Sequence, residues 1–204
     1  MSQPPILYAA DSGAATITLN RPESLNAMTS SFMAGISEAI QRVHDDESIR
    51  VVIITGNGRG FCAGADLAQV ADPTLNEDDN SNAMDDTFNP AIRAIESCPV
   101  PTIARVNGAA AGGGFGLALA CDITIAARSA FFVATFGPRL GIVPDMGVTW
   151  SLPTRAGRAR ALGIALLGER IPAEKAEQWG LIWSCVDDDD LDAEVGRVAA
   201  VVSV

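Results

Sequence analysis

Twice in this sequence a short apolar run, rich in β-branched residues, meets a glycine-rich corner and then a stretch of small residues. The first is RVVIIT-GNGRG-FCAGADL, which closes on Ala63, Gly64, Ala65, Asp66 and Leu67. The second is TIARV-NGAAAGGGFGLALACD, with Gly112, Gly113 and Gly114 at the predicted start of a helix running to about Ala120. Continuous apolar runs of this length belong to sheets covered on both faces, so the pattern calls for an α/β domain. Glycine and alanine also let a ligand approach the backbone closely. A helix start offers unpaired N–H groups and a dipole that favours negative charge. Two such corners meeting in space would aim two donors at one oxygen, which is an oxyanion hole. Close packing alone would account for either corner taken singly.

The rest of the chain fits the same class. Residues 5 to 9 and 14 to 19 read as strands joined at Asp11-Ser12-Gly13. Thr29 and Ser30 cap a helix to about His44, with Phe32, Ile36, Ile40 and Val43 at helical spacing. The acidic run from 72 to 86 reads as a mobile loop, and a helix is expected from Phe88 to Cys98. A strand follows at 122 to 127, and Pro144 is placed to open a short helix through Trp150. Two helices, a strand near 181 to 186 and a last helix after Asp187–Asp190 complete a single domain over 1 to 204.

Residue counts remove several chemistries. Acids outnumber bases 25 to 14, a formal charge of −11, so neither nucleic acid nor an anionic membrane is an expected partner. There is one histidine, His44, which excludes sites built on several histidines, and no metal is expected. Lys175 is the only lysine and no GxxxxGK[ST] string occurs, so a P-loop is absent. Cys62, Cys98, Cys121 and Cys185 are widely spaced and read as thiols of a reducing compartment. The N-terminus does not read as a secretory signal, and a cytoplasmic location is expected.

The two corners, in this order, are similar to those of the crotonase, or enoyl-CoA hydratase/isomerase, superfamily. The matching strings are ITLNRPESLNAM, VVIITGNGRGFCAGADL, PTIARVNGAAAGGGFGLALACDITIAA and LGIVPDMGVTWSLPTRAGRARALGIALLGERIPAEKAEQWGLIW. The run from PDMGVTW onward, with its VDDDD tail, most resembles the phenylacetate-pathway epoxyphenylacetyl-CoA isomerase subgroup. The resemblance implies a spiral of ββα units, a homotrimer or homohexamer, and an acyl-CoA thioester as substrate with no separate cofactor. It also implies further C-terminal helices beyond Val204, so the domain is expected to be C-terminally short.

By the same resemblance the oxyanion donors are the N–H groups of Ala63 and Gly113. CoA would lie along Ala63, Gly64, Ala65, Asp66 and Leu67, with Gly113 and Gly114 beside the thioester. Hydratases of the family carry two Glu at positions that here are Gly116 and Gly137, and no acid lies between Asp122 and Asp145. The two glycines suggest room for a bulky, aromatic acyl group. Asp145, in GIVPDMG, sits in a string that resembles isomerase branches using this acid, so the resemblance implies it as the proton carrier in the first turn of its helix; without the resemblance a helix-start charge is its plainer use. Three activities stay open: an isomerase using Asp145, a hydratase or hydrolase using that acid alone, and a non-catalytic CoA-binding protein.

Among the other residues, Asp66 is expected to organise its own loop or contact the CoA loop, and Cys62 to pack without reacting. Trp150 and Trp183 read as core or interface aromatics. Arg155, Arg158 and Arg160 could meet CoA phosphates or a neighbouring subunit, and a solvated helix face is the plainer reading.

Overall fold

The computed structural model describes residues 3–67 and 84–203. Strands β1 (Ile6–Asp11) and β2 (Ala14–Leu19) form a hairpin across Ser12 and Gly13. Both turn residues have positive φ, the geometry that matches strand twist in a two-residue loop. β3 (Val51–Gly56), β5 (Thr102–Val106), β7 (Ile123–Ala127) and β10 (Ser184–Val186) extend the sheet in the order β1-β2-β3-β5-β7-β10. All its pairings after the hairpin are parallel.

A second sheet carries β4 (Gly60–Cys62), β6 (Ala109–Ala111), β8 (Phe131–Val133) and β9 (Ile171–Pro172), in that order. Three consecutive strands of the first sheet are each followed by a short strand of the second: β3 by β4, β5 by β6, β7 by β8. That repetition is the expected spiral. The short strands of the second sheet were not among the predicted elements.

Helix α1 (Ser30–His44) starts where Thr29 accepts a hydrogen bond from the Phe32 N–H, at 3.2 Å. It buries Phe32, Met33, Ile36, Ile40 and Val43, and each large apolar side chain so buried contributes about 1.5–3 kcal/mol. The next helices are α2 (Asn89–Glu96) and α3 (Gly113–Ala120). All eight residues of α3 are buried, so it is the central helix of the fold. α4 (Val148–Ala156), α5 (Arg158–Leu167), α6 (Ala173–Gln178) and α7 (Leu191–Val202) follow.

Several expectations change. The helix placed at Pro144 begins at Val148, because Met146 and Gly147 both take positive φ and close a turn first. Asp145 therefore precedes the helix, and its carbonyl accepts the Val148 N–H at 2.9 Å. Most of the acidic run lies outside the described residues, but 84 to 86 belong to a π-helical turn, Met84–Phe88. Trp150 and Trp183 are exposed, so neither is core in this chain. Arg155 is not on a solvated face: its guanidinium reaches the carbonyls of Leu119, Cys121 and Leu181 and caps the C-terminal end of α3.

Candidate active site

The two corners meet through the second sheet. β4 pairs in parallel with β6, Gly60 opposite Ala109 and Cys62 opposite Ala110. The residues after each strand are thereby brought side by side. Gly64 has φ +92°, and a Cβ on it would stand 2.9 Å from the Ala111 oxygen and 3.3 Å from the Gly113 nitrogen. A Cβ on Gly114 would stand 2.2 Å from the Cys62 oxygen. Side chains at these two places would force the corners apart.

Gly113 opens α3, so its N–H has no carbonyl one turn back. On the other corner the donors separate by hydrogen bonding. The Ala63 N–H donates to the Leu25 oxygen at 3.0 Å. It is therefore committed, and the expectation that it serves as an oxyanion donor fails on that bond. Ala65 sits opposite Met28 in an isolated parallel bridge. Met28 donates to the Gly64 oxygen at 2.8 Å and accepts from the Asp66 N–H at 2.9 Å. In such a bridge the central residue turns its own N–H and C=O away from the partner. Among the described residues, the backbone hydrogen bonds include none from the Ala65 N–H or the Gly113 N–H.

The segment that supports Ala65 is itself held by polar contacts the sequence reading did not single out. Asn26 is fully buried with φ +58°. Its amide nitrogen donates to the oxygens of Asn57, Gly60 and Phe61, and its oxygen accepts the Arg21 N–H. Arg21 pairs with Asp66 at 2.9 Å and also donates to the Ala27 oxygen. Asp66 thus ties its loop to the 21–28 segment. The signal was present in NRPESLNAM: asparagine is one of the few residues at ease in the left-handed region.

Asp145 lies on the loop before α4, half-buried. Burial raises its carboxyl pKa above the ordinary 3.8, and its own backbone N–H offsets part of that. Its neighbour Met146 is 3% exposed, with φ +52°. The Met146 Cγ stands 3.2 Å from where a Cβ on Gly113 would be, and the Met28 Sδ stands at the same distance. The start of α3 is thus held between a methionine of the Ala65 ladder and a methionine next to the acid.

This frame is widely shared. The model of the enoyl-CoA hydratase/isomerase family matches residues 9–202. The chain belongs to that family. It is 49% identical to the 1,2-epoxyphenylacetyl-CoA isomerase of Escherichia coli K12 over 91% of this chain and 71% of that relative. A probable enoyl-CoA hydratase of Rhodobacter capsulatus is 44% identical, over 94% of this chain and 72% of its own. Among solved structures, an enoyl-CoA hydratase of Bacillus anthracis superposes with a TM-score of 0.91 at 33% identity, covering 98% of this chain and 76% of that one.

Against the family pattern, the two positions that hydratases fill with Glu differ here. Gly137 is exposed on a π-helical turn, Phe136–Leu140. Gly116 is buried, and the expected room for a bulky acyl group is absent there: a Cβ would meet the Met146 oxygen at 2.4 Å. Cys62 is fully buried, and burial pushes its thiol up to about 12, which keeps it protonated and inert. A cavity of about 300 Å³ lined by Glu96, Cys121, Asp122, Trp150 and Arg155 lies at the C-terminal end of α3, away from the donors.

Proposed function

We propose that this family member is an acyl-CoA thioester isomerase that works through an enolate. The N–H groups of Ala65 and Gly113 hold the thioester oxygen, with Ala65 taking the place first expected for Ala63. Removing a proton from the α-carbon moves charge onto that oxygen, and each donor aimed there is worth about 2.7–4 kcal/mol at the transition state. Asp145 takes the proton from one carbon and returns it to another, which moves a double bond with no net change in composition. Burial suits this role: it brings the carboxyl pKa closer to the operating pH, where a proton carrier is most effective. CoA lies along residues 63 to 67, and the chain assembles as a homotrimer or homohexamer.

The observation that carries this reading is a pair of uncommitted N–H groups on touching corners, with one partly desolvated acid, Asp145, on the turn whose Met146 packs over the start of α3. Water addition in the family's two-acid manner lacks both of its acids, since Gly116 and Gly137 stand at their positions and no acid lies between Asp122 and Asp145. The likeness to the epoxyphenylacetyl-CoA isomerase supports an acyl group of that class. On such an epoxide the same Asp145 would assist ring opening or double-bond migration.

A direct test presents the protein with a 3-enoyl-CoA and a 2-enoyl-CoA in separate assays, with Asp145→Asn alongside. The reading expects double-bond migration that depends on Asp145 and no addition of solvent oxygen. Hydration of the 2-enoyl-CoA as the dominant reaction, or full activity in Asp145→Asn, would overturn it.

A further inference from the structure

Gly116 lies in the buried helix α3, and a Cβ there would stand 2.4 Å from the Met146 oxygen, 2.6 Å from the Met146 Cβ and 3.1 Å from the Val148 Cγ2. The first two are a backbone atom and a Cβ, which cannot swing aside as a side-chain tip can. The turn from Asp145 to Val148 therefore fills the volume that any side chain at 116 would need. Methionine at φ +52° is unfavourable, and such residues persist where the surrounding packing dictates them. Here that packing is α3 itself: Met146 rests on Gly116 with its backbone and on Gly113 with its side chain.

We propose that Gly116 is a positioning and specificity-determining residue. The missing side chain seats the left-handed Met146 turn on α3, and that seat holds Asp145 next to the residue whose side chain lies over the Gly113 end of α3. The same seat leaves no volume for a second carboxylate at 116, so single-acid proton transfer is built into the packing. This inference rests on the isomerase reading.

The test uses Gly116→Ala, Gly116→Glu and Met146→Gly, with 3-hexenoyl-CoA as the isomerisation probe. Hexanoyl-CoA, which has no double bond to move, counts binding sites, and rates are expressed per site. Gly116→Ala is expected to bind hexanoyl-CoA as the wild type does and to keep its KM, while kcat falls about 10²-fold, the usual cost of a misplacement near 1 Å. Met146→Gly adds no atoms and frees the turn, so it should show the same split even if Gly116→Ala fails to fold. Gly116→Glu is expected to gain no hydration of crotonyl-CoA.

The seat is overturned by wild-type kcat in Gly116→Ala or Met146→Gly. Losses of kcat that follow loss of hexanoyl-CoA binding overturn it too, as does hydration gained by Gly116→Glu with isomerisation kept. An Asp145→Asn control separates the two levels. If that variant is inactive while Gly116→Ala is fully active, the seat alone falls. If Asp145→Asn is fully active, the isomerase reading falls and the seat falls with it.

Discussion

The Ala63 N–H points into the Leu25 carbonyl at 3.0 Å, and this bond divides two neighbouring alanines by role. Replacing Ala63 or Ala65 by its α-hydroxy analogue turns one amide into an ester and removes one N–H. At Ala63 the change should lower stability by about 0.5–1.5 kcal/mol, the usual net worth of a backbone hydrogen bond, with kcat nearly kept. At Ala65 stability should hold while kcat falls about 10²–10³-fold. Thermal unfolding and steady-state kinetics on both proteins check the assignment, and reversed outcomes would return the donor to Ala63.

Asn26 ties the 21–28 segment to β4 through one fully buried amide. Asn26→Ala leaves the Arg21 N–H and three carbonyls without that partner and puts a Cβ-bearing residue with no polar tip at φ +58°. Each buried group left unsatisfied costs about 1–3 kcal/mol, so a loss of about 3 kcal/mol or more in urea unfolding is expected. Because this segment carries Met28, and Met28 orders Ala65, thioester turnover should fall in the fraction that stays folded.

Asp145 is predicted to cost stability at neutral pH. Its folded pKa is raised by burial, so the native state holds the proton to higher pH than the unfolded chain does. Stability attributable to this group is then highest below the ordinary carboxylate pKa and falls as pH rises through the folded value. Asp145→Asn should therefore unfold at a higher temperature than wild type at pH 7, with the gap closing at acid pH. A destabilised Asn variant at pH 7 would contradict a carboxyl desolvated in this way. In the enzyme's pH–rate profile, the acidic limb should likewise lie above the range of an exposed carboxylate.

These cases show which parts of the molecule were legible in the sequence. α1, β2, β3 and β5 announced themselves through periodicity or unbroken apolar runs, and the glycines marked both corners. The three-residue strands β4, β6 and β8 did not, because GFC, AAA and FFV are too short to carry a period. The choice between Ala63 and Ala65 turned on a partner, Leu25, in a distant loop. The delayed start of α4 turned on a methionine held at positive φ by contact with α3, which no local propensity encodes. Asp145 stood out through the resemblance of its LGIVPDMG string to isomerase branches and through the lack of any acid between Asp122 and itself.

The central claim is that Asp145 moves a proton on a thioester held by the Ala65 and Gly113 N–H groups. It is tested most directly by NMR of acyl-CoA α- and γ-proton exchange in deuterated water, wild type beside Asp145→Asn. The account predicts exchange in the wild type that drops about 10²–10⁴-fold in the Asn protein while thioester binding is kept. Exchange at equal rates in both proteins, or tight binding with no exchange in either, would contradict it.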